Sequence, residues 1–167
     1  MNRIAITHEE FLSEGVPAAL HVNARTDTDW ERWTQYIAAR PEITHIAFEF
    51  ATGCGYAGRI EWHATQLVRL AAAAERPLHL VVRGGLRLLP SLAAAFTRVT
   101  LLETSVFMKT AKRQSAVPLA AGKMKWELSQ GGITGSIDAL LAENWKAVAA
   151  TYTPLLERPL PALEAAK

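Results

Sequence analysis

Residues 43–50 read ITHIAFEF and residues 78–82 read LHLVV. Ile43–Phe50 is dense in β-branched and aromatic side chains, which suit a pleated, half-buried surface. Leu78–Val82 is a near-continuous apolar run, as in strands of a parallel sheet covered on both faces. Between them lie a glycine-bearing loop and a helical stretch from about Ile60 to Glu75, in which Trp62, Gln66, Leu70 and Ala73 share a face. Strand, helix and strand in this order predict a βαβ unit with parallel strands and a right-handed crossover.

The same rhythm extends in both directions. Ala18–Ala24 reads as a strand ending in the polar Asn23, Arg25 and Thr26. Asp27 or Thr28 then caps a helix through Ala39, with Trp30, Trp33, Tyr36 and Ile37 at helical spacing, and Pro41 ends it. Further upstream, Arg3–Thr7 reads as a short strand and His8–Glu14 as one or two helical turns. Downstream, Gly84-Gly85 breaks the third strand, Arg87–Phe96 is a short helix, and Val99–Leu102 is another buried strand. Past Lys109 the pattern weakens. Residues 116–122 read as loop, Lys123–Leu128 as a strand or a helical turn, and Ser136 caps a helix to about Tyr152. The fold class is therefore α/β: a compact, mostly parallel sheet of four or five strands with crossover helices, open or as a partial βα barrel, plus C-terminal helices. Residues 1–153 form a single α/β domain in this reading, and 154–167 a tail punctuated by Pro154, Pro159 and Pro161.

Composition agrees. The chain has 167 residues, 50% hydrophobic and 20% charged, which is globular and long enough to bury a core unaided. One cysteine, Cys54, excludes an intramolecular disulfide and a cysteine-rich zinc site. No H-x-x-x-H, H-x-H or H-E-x-x-H spacing occurs, so no metal is expected. No apolar run is long enough to cross a bilayer, and Met1–Ile6 is too short and polar for a secretory segment, so a soluble, cytoplasmic protein is expected. Charge is uneven. Residues 1–83 hold eight arginines and ten acids, whereas residues 84–167 hold ten basic residues and six acids. No acid lies between Glu103 and Glu127, but Lys109, Lys112, Arg113, Lys123 and Lys125 do, and such a stretch attracts phosphate.

Parallel α/β folds bind ligands where their strands end at the carboxyl side. Reading only those ends collects Asn23 and Arg25, then Glu49, Thr52 and Gly53, then Arg83, Gly84 and Gly85, then Glu103, Thr104 and Lys109. Three of the four supply a cation. Polar loops and arginines paired with Glu49 or Glu103 give the plain structural account of the same residues.

Gly53-Cys54-Gly55-Tyr56-Ala57-Gly58 fits G-x-G-x-x-G between a strand and a helix, where backbone N–H groups approach an anion. Gly53, Gly55 and Gly58 are the candidate cofactor-binding residues. Arg83, ending the following strand, stands where dinucleotide folds keep an acid, and suits a 2′-phosphate. The segment Glu49–Tyr56 also resembles the first motif of class I methyltransferases, which bind S-adenosylmethionine. That resemblance covers eight residues and implies that Gly53 and Gly55 lie against the cofactor. Glu49, inside an apolar strand, is the candidate general base or the partner of Arg25 or Arg83. His63 is a candidate acid or base at the start of the long helix, or an ordinary surface or core histidine. His21, His45 and His79 read as sheet-face residues and not as ligands, and Cys54 as a small turn residue. Arg25, Arg83, Lys109, Lys112 and Arg113 are the candidate phosphate contacts, with Phe107 or Trp126 for base stacking.

Three functions from different classes follow. The first is a phosphate-ligand-binding domain, with nucleic acid as partner. The second is a small-molecule enzyme with Glu49 as base and a dinucleotide or S-adenosylmethionine at the glycine loop. The third is a non-catalytic subunit whose tryptophan-bearing helices meet a second copy or another protein.

Overall fold

Four parallel strands lie side by side in the order in which they occur along the chain: β1 (Leu20–His21), β2 (His45–Glu49), β3 (His79–Arg83) and β4 (Arg98–Leu102). The computed structural model describes residues 2–50, 58–129 and 135–157. Its contacts divide the chain into two compact units, parting after Leu102. The first unit holds the parallel sheet with helices α1 (Asn2–Ser13), α2 (Asp27–Ala38), α3 (Arg59–Ala74) and α4 (Leu89–Ala95).

Alternation along the strands sets the faces of the sheet. Ile46, Phe48 and Phe50, with Leu80 and Val82, are buried on one face. The Phe48 ring lies 5.5 Å from Trp30 of α2 and 5.2 Å from His63 of α3, so both helices cover that face. Successive parallel neighbours joined by right-handed crossovers place their helices on one side. This is the winding of a βα barrel, without the order reversal that creates a switch point in a doubly wound sheet. The opposite face carries His21, His45, Glu49, His79, Arg83, Arg98 and Thr100, all exposed or half-buried.

The helices follow from local chemistry. Thr26 caps α2 in a capping box: its hydroxyl accepts from Asp29 N–H at 3.1 Å, and the Asp29 carboxylate accepts from Thr26 N–H at 3.1 Å. Trp30, Trp33 and Ile37 form the buried stripe of α2. Each large side chain so buried contributes about 1.5–3 kcal/mol. The buried stripe of α3 is His63, Leu67, Leu70 and Ala74, one residue out of phase with the expected Trp62, Gln66, Leu70 and Ala73. Aromatic neighbours make His63 an interior residue, one of the alternatives its place in the sequence left open.

Residues 3–7 are helical, correcting the expected strand at Arg3–Thr7. Helix α1 turns Ala5 and His8 inward, and three contacts hold it: His8 Nε2 to the Ala18 carbonyl at 3.3 Å, Glu9 with the Tyr36 hydroxyl at 2.8 Å, and Glu9 with Arg40. It ends in a Schellman motif, with Val16 N–H on Phe11 O and Gly15 N–H on Leu12 O, and Gly15 at φ +70°. Tertiary contact here outweighs the strand propensity of Ile4, Ile6 and Thr7.

The second unit begins with α5 (Ser105–Ala111), continues through an antiparallel hairpin of β5 (Gln114–Pro118) and β6 (Met124–Leu128), and ends in α6 (Ile137–Glu157). Residues 116–118 of the expected loop at 116–122 are strand, the rest of that loop connects the hairpin, and the strand alternative for Lys123–Leu128 holds over Met124–Leu128. Pro154 lies inside the last turns of α6, so the helix runs past the expected start of the tail to Glu157. Proline has no N–H, so the Ala150 carbonyl lacks its usual i+4 donor in these last turns. Leu140, Asn144, Val148 and Tyr152 form the buried stripe of α6. Among the described residues no helix is long and apolar enough to cross a membrane.

Candidate functional site at the carboxyl rim

The carboxyl ends of the strands in the first unit gather charged side chains from successive connections. Glu49 ends β2 and Arg83 ends β3; they are register partners, and Arg83 Nη1 donates to Glu49 Oε1 at 2.5 Å. Parallel register brings both side chains to one face of adjacent strands, so of the two partners considered for Glu49 it is Arg83 that meets it. Arg25 follows β1. Its backbone N–H donates to Asp29 at 3.0 Å and its carbonyl accepts from Arg59 Nη2 at 3.0 Å, while its own guanidinium makes no ion pair among the described residues. The Arg25 N–H, followed by the Thr26 side chain, holds the Asp29 carboxyl below its usual range.

Arg59 and Glu61 lie in the first turn of α3, and Glu61 is ion-paired with Arg87 in the turn leading to α4. Sequence reasoning missed Arg59, Glu61 and Arg87. Their signal was position, one to three residues after a glycine connection, where a short helical entry keeps side chains at the rim. The rim thus carries four arginines, Arg25, Arg59, Arg83 and Arg87, against Glu49 and Glu61.

Gly85 shapes the same end. A Cβ there would stand 2.6 Å from the Phe50 ring, and its φ of +70° is itself unsuited to a side chain. Gly58, of the candidate glycine loop, is the N-cap of α3 at φ +81°. Gly53, Cys54 and Gly55, together with Thr52 and Tyr56, lie outside the described residues.

His63 is 3% exposed and packed against Trp30, Phe48 and Trp62, with ring centroids 5.8, 5.2 and 4.6 Å away. Its Nδ1 is buried without a partner. Burial, helped by the nearby Arg59 charge, pushes its pKa below 6.5. The folded state therefore resists a proton that the unfolded state accepts. Stability is full above pH 6.5 and falls as pH drops below it, by at most about 1.4 kcal/mol per pH unit. Urea unfolding between pH 7.5 and 5 should show a steeper loss in the parent than in His63→Leu; parallel curves would mean that His63 takes its proton freely.

The basic segment lies in the second unit. Lys109 is half-buried, Lys112 is exposed, and neither makes an ion pair among the described residues. Arg113 has a left-handed backbone at φ +55°, and its guanidinium donates to the Gly135 carbonyl. Lys125 is bound to Glu127 at 2.7 Å. The cations expected to clamp phosphate are thus divided between free lysines and groups already holding the hairpin. Glu103 accepts from both the N–H and the hydroxyl of Ser105, which fixes the start of α5. Phe107 is 67% exposed, and Trp126 is half-buried.

The protein is an α/β chain with a singly wound parallel sheet and an arginine-bearing rim. No family model, curated protein or solved structure matches it.

Proposed function

We propose that the first unit binds phosphate-bearing ligands, nucleic acid foremost, at the carboxyl rim of its parallel sheet. The observation that carries this reading is the set of four arginines on that rim, two of them held in place by Glu49 and Glu61. Arginine presents a planar fork of donors that matches phosphate oxygens, and pairing with a carboxylate orients the fork in advance. Arg25, exposed and without an ion pair among the described residues, offers the most accessible contact. Lys109 and Lys112 supply additional positive charge in the second unit.

The test is a fluorescence-anisotropy titration of short single- and double-stranded oligonucleotides at about 50 and about 200 mM salt, a range over which several phosphate contacts cost orders of magnitude in affinity. Binding is expected at the lower salt and to collapse at the higher. Arg25→Glu should weaken it about tenfold and reduce the salt slope by about one. Lys109→Glu with Lys112→Glu measures the share of the second unit. No binding at low salt ends the nucleic-acid reading. Salt-insensitive binding of a mononucleotide would move the function to a small-molecule site at the glycine loop.

A further inference from the structure

We propose that His45 and His79 form a two-imidazole site for a divalent transition metal of the copper or nickel type. It lies at the amino-terminal end of the sheet, on the face opposite Phe48, and is independent of the phosphate reading.

Strand register brings the pair together. His45 of β2 stands opposite His79 of β3, so both side chains leave the same face. His45 Nε2 and His79 Nδ1 are 3.0 Å apart, with the rings nearly perpendicular and their centroids separated by 4.5 Å. Unprotonated, each of these nitrogens carries an in-plane lone pair. With metal–nitrogen bonds of about 2.0–2.1 Å, a 3.0 Å separation subtends an angle of about 90° at the metal. That is the cis angle of a square-planar or octahedral centre; a tetrahedral one would need nitrogens roughly 3.4 Å apart at the same bond length. Nitrogen and oxygen donors in tetragonal geometry favour Cu²⁺ or Ni²⁺.

The surroundings fit a metal ligand. Thr44 Oγ1 lies 2.9 Å from His45 Nδ1. With the proton on Nδ1, the imidazole donates to the hydroxyl and keeps the Nε2 lone pair for the metal, the arrangement that orients metal-bound histidines. His45 and Thr44 also line a pocket of 390 Å³ beside α1, together with Glu42 and His8. The pocket opens His45 to water and has the Glu42 carboxylate in its lining. Among the described residues no group of three metal-ligating side chains assembles, so water completes the coordination and leaves positions for donors from a bound molecule. With the His45 proton on Nδ1, the 3.0 Å contact is a hydrogen bond from His79 Nδ1–H to His45 Nε2. Metal binding then requires the His79 proton to move to its Nε2, which leaves both imidazoles neutral.

The experiment is calorimetric titration of the untagged full chain with NiCl₂ and with CuCl₂, beside His45→Gln, His79→Gln, their combination and Thr44→Val. Unchanged circular dichroism and thermal midpoints in EDTA establish that each variant is folded. The expected result is one ion per chain in the parent, loss of that ion in both single glutamine variants, and unchanged stoichiometry with about tenfold weaker binding in Thr44→Val. Nitrogen hyperfine splitting from two imidazoles in the Cu²⁺ electron paramagnetic resonance spectrum should vanish in the double variant. No uptake by the parent, or equal uptake by the double variant, would overturn the assignment.

Discussion

Replacing Arg76 by alanine is expected to destabilise the first unit by about 3 kcal/mol. Arg76 Nη2 donates to the carbonyls of Ile37, Arg40 and Ile43 at 2.9, 2.7 and 2.9 Å. These carbonyls belong to the last turn of α2 and to the chain leading into β2, so one guanidinium closes a helix end that lacks a basic residue of its own. Hydrogen bonds from a charged donor are worth about 1.5–3 kcal/mol each, but two considerations hold the sum down. One nitrogen shares its two hydrogens among three acceptors. Arg76 Nε and Nη1 are also buried without partners, a cost that deletion relieves. Arg76→Lys should recover about half of the loss, because an ammonium reaches one or two of the carbonyls without the planar fork. The measurement is the urea midpoint of each variant. A loss for Arg76→Ala within about 0.5 kcal/mol, the range of an ordinary surface change, would mean that water satisfies these carbonyls equally well.

Asn144→Leu should cost the second unit a similar amount, about 3 kcal/mol. Asn144 is 2% exposed on the buried stripe of α6. Its Oδ1 accepts from Ala116 N–H at 2.7 Å, and its Nδ2 donates to Thr110 Oγ1 and to Gln114 O, each at 2.8 Å. One amide thus joins α6 to α5 and to the first strand of the hairpin. Leucine fills the volume but leaves a backbone donor and a backbone acceptor unpaired, and such groups cost more than the bonds gain. Thr110→Val removes only one partner and should cost about 1 kcal/mol. The two changes should not add, because Asn144→Leu already removes the Thr110 bond. Urea unfolding followed by the tryptophans of the second unit, Trp126 and Trp145, reads each loss. Strict additivity would show that Thr110 and Asn144 do not act as one network.

Much of the parallel sheet was legible because its signals are local. ITHIAFEF and LHLVV carry strand composition over whole elements, and Trp30, Trp33 and Ile37 carry helical spacing. Where local signals conflict, packing decides. Residues 3–7 have strand-like side chains, yet a helix there lets His8 and Glu9 meet Ala18, Tyr36 and Arg40. Residues 114–118 contain small residues and a proline, so their pairing depends on β6, whose Met-Lys-Trp-Glu-Leu alternation is the stronger strand signal.

The candidate site divides in the same way. Arg25, Glu49 and Arg83 could be read from the sequence because they end strands or closely follow one. Their partners could not, since a partner is set by register and by the neighbouring connection. Glu49 meets Arg83 through β2–β3 pairing, and Arg87 meets Glu61 across two separate turns. Asn144 had a sequence signal that went unused: it occupies the apolar stripe of α6, four residues from both Leu140 and Val148.

By itself the sequence determined an α/β chain, its alternating strands and helices, and a set of cations near strand ends, since composition and periodicity are properties of consecutive residues. Only the tertiary structure decided the sequential strand order, the helix at residues 3–7, the Glu49–Arg83 pair and the meeting of His45 with His79. Those depend on which residues stand opposite one another, and opposition is fixed by the register of segments about 34 residues apart, which no local pattern encodes.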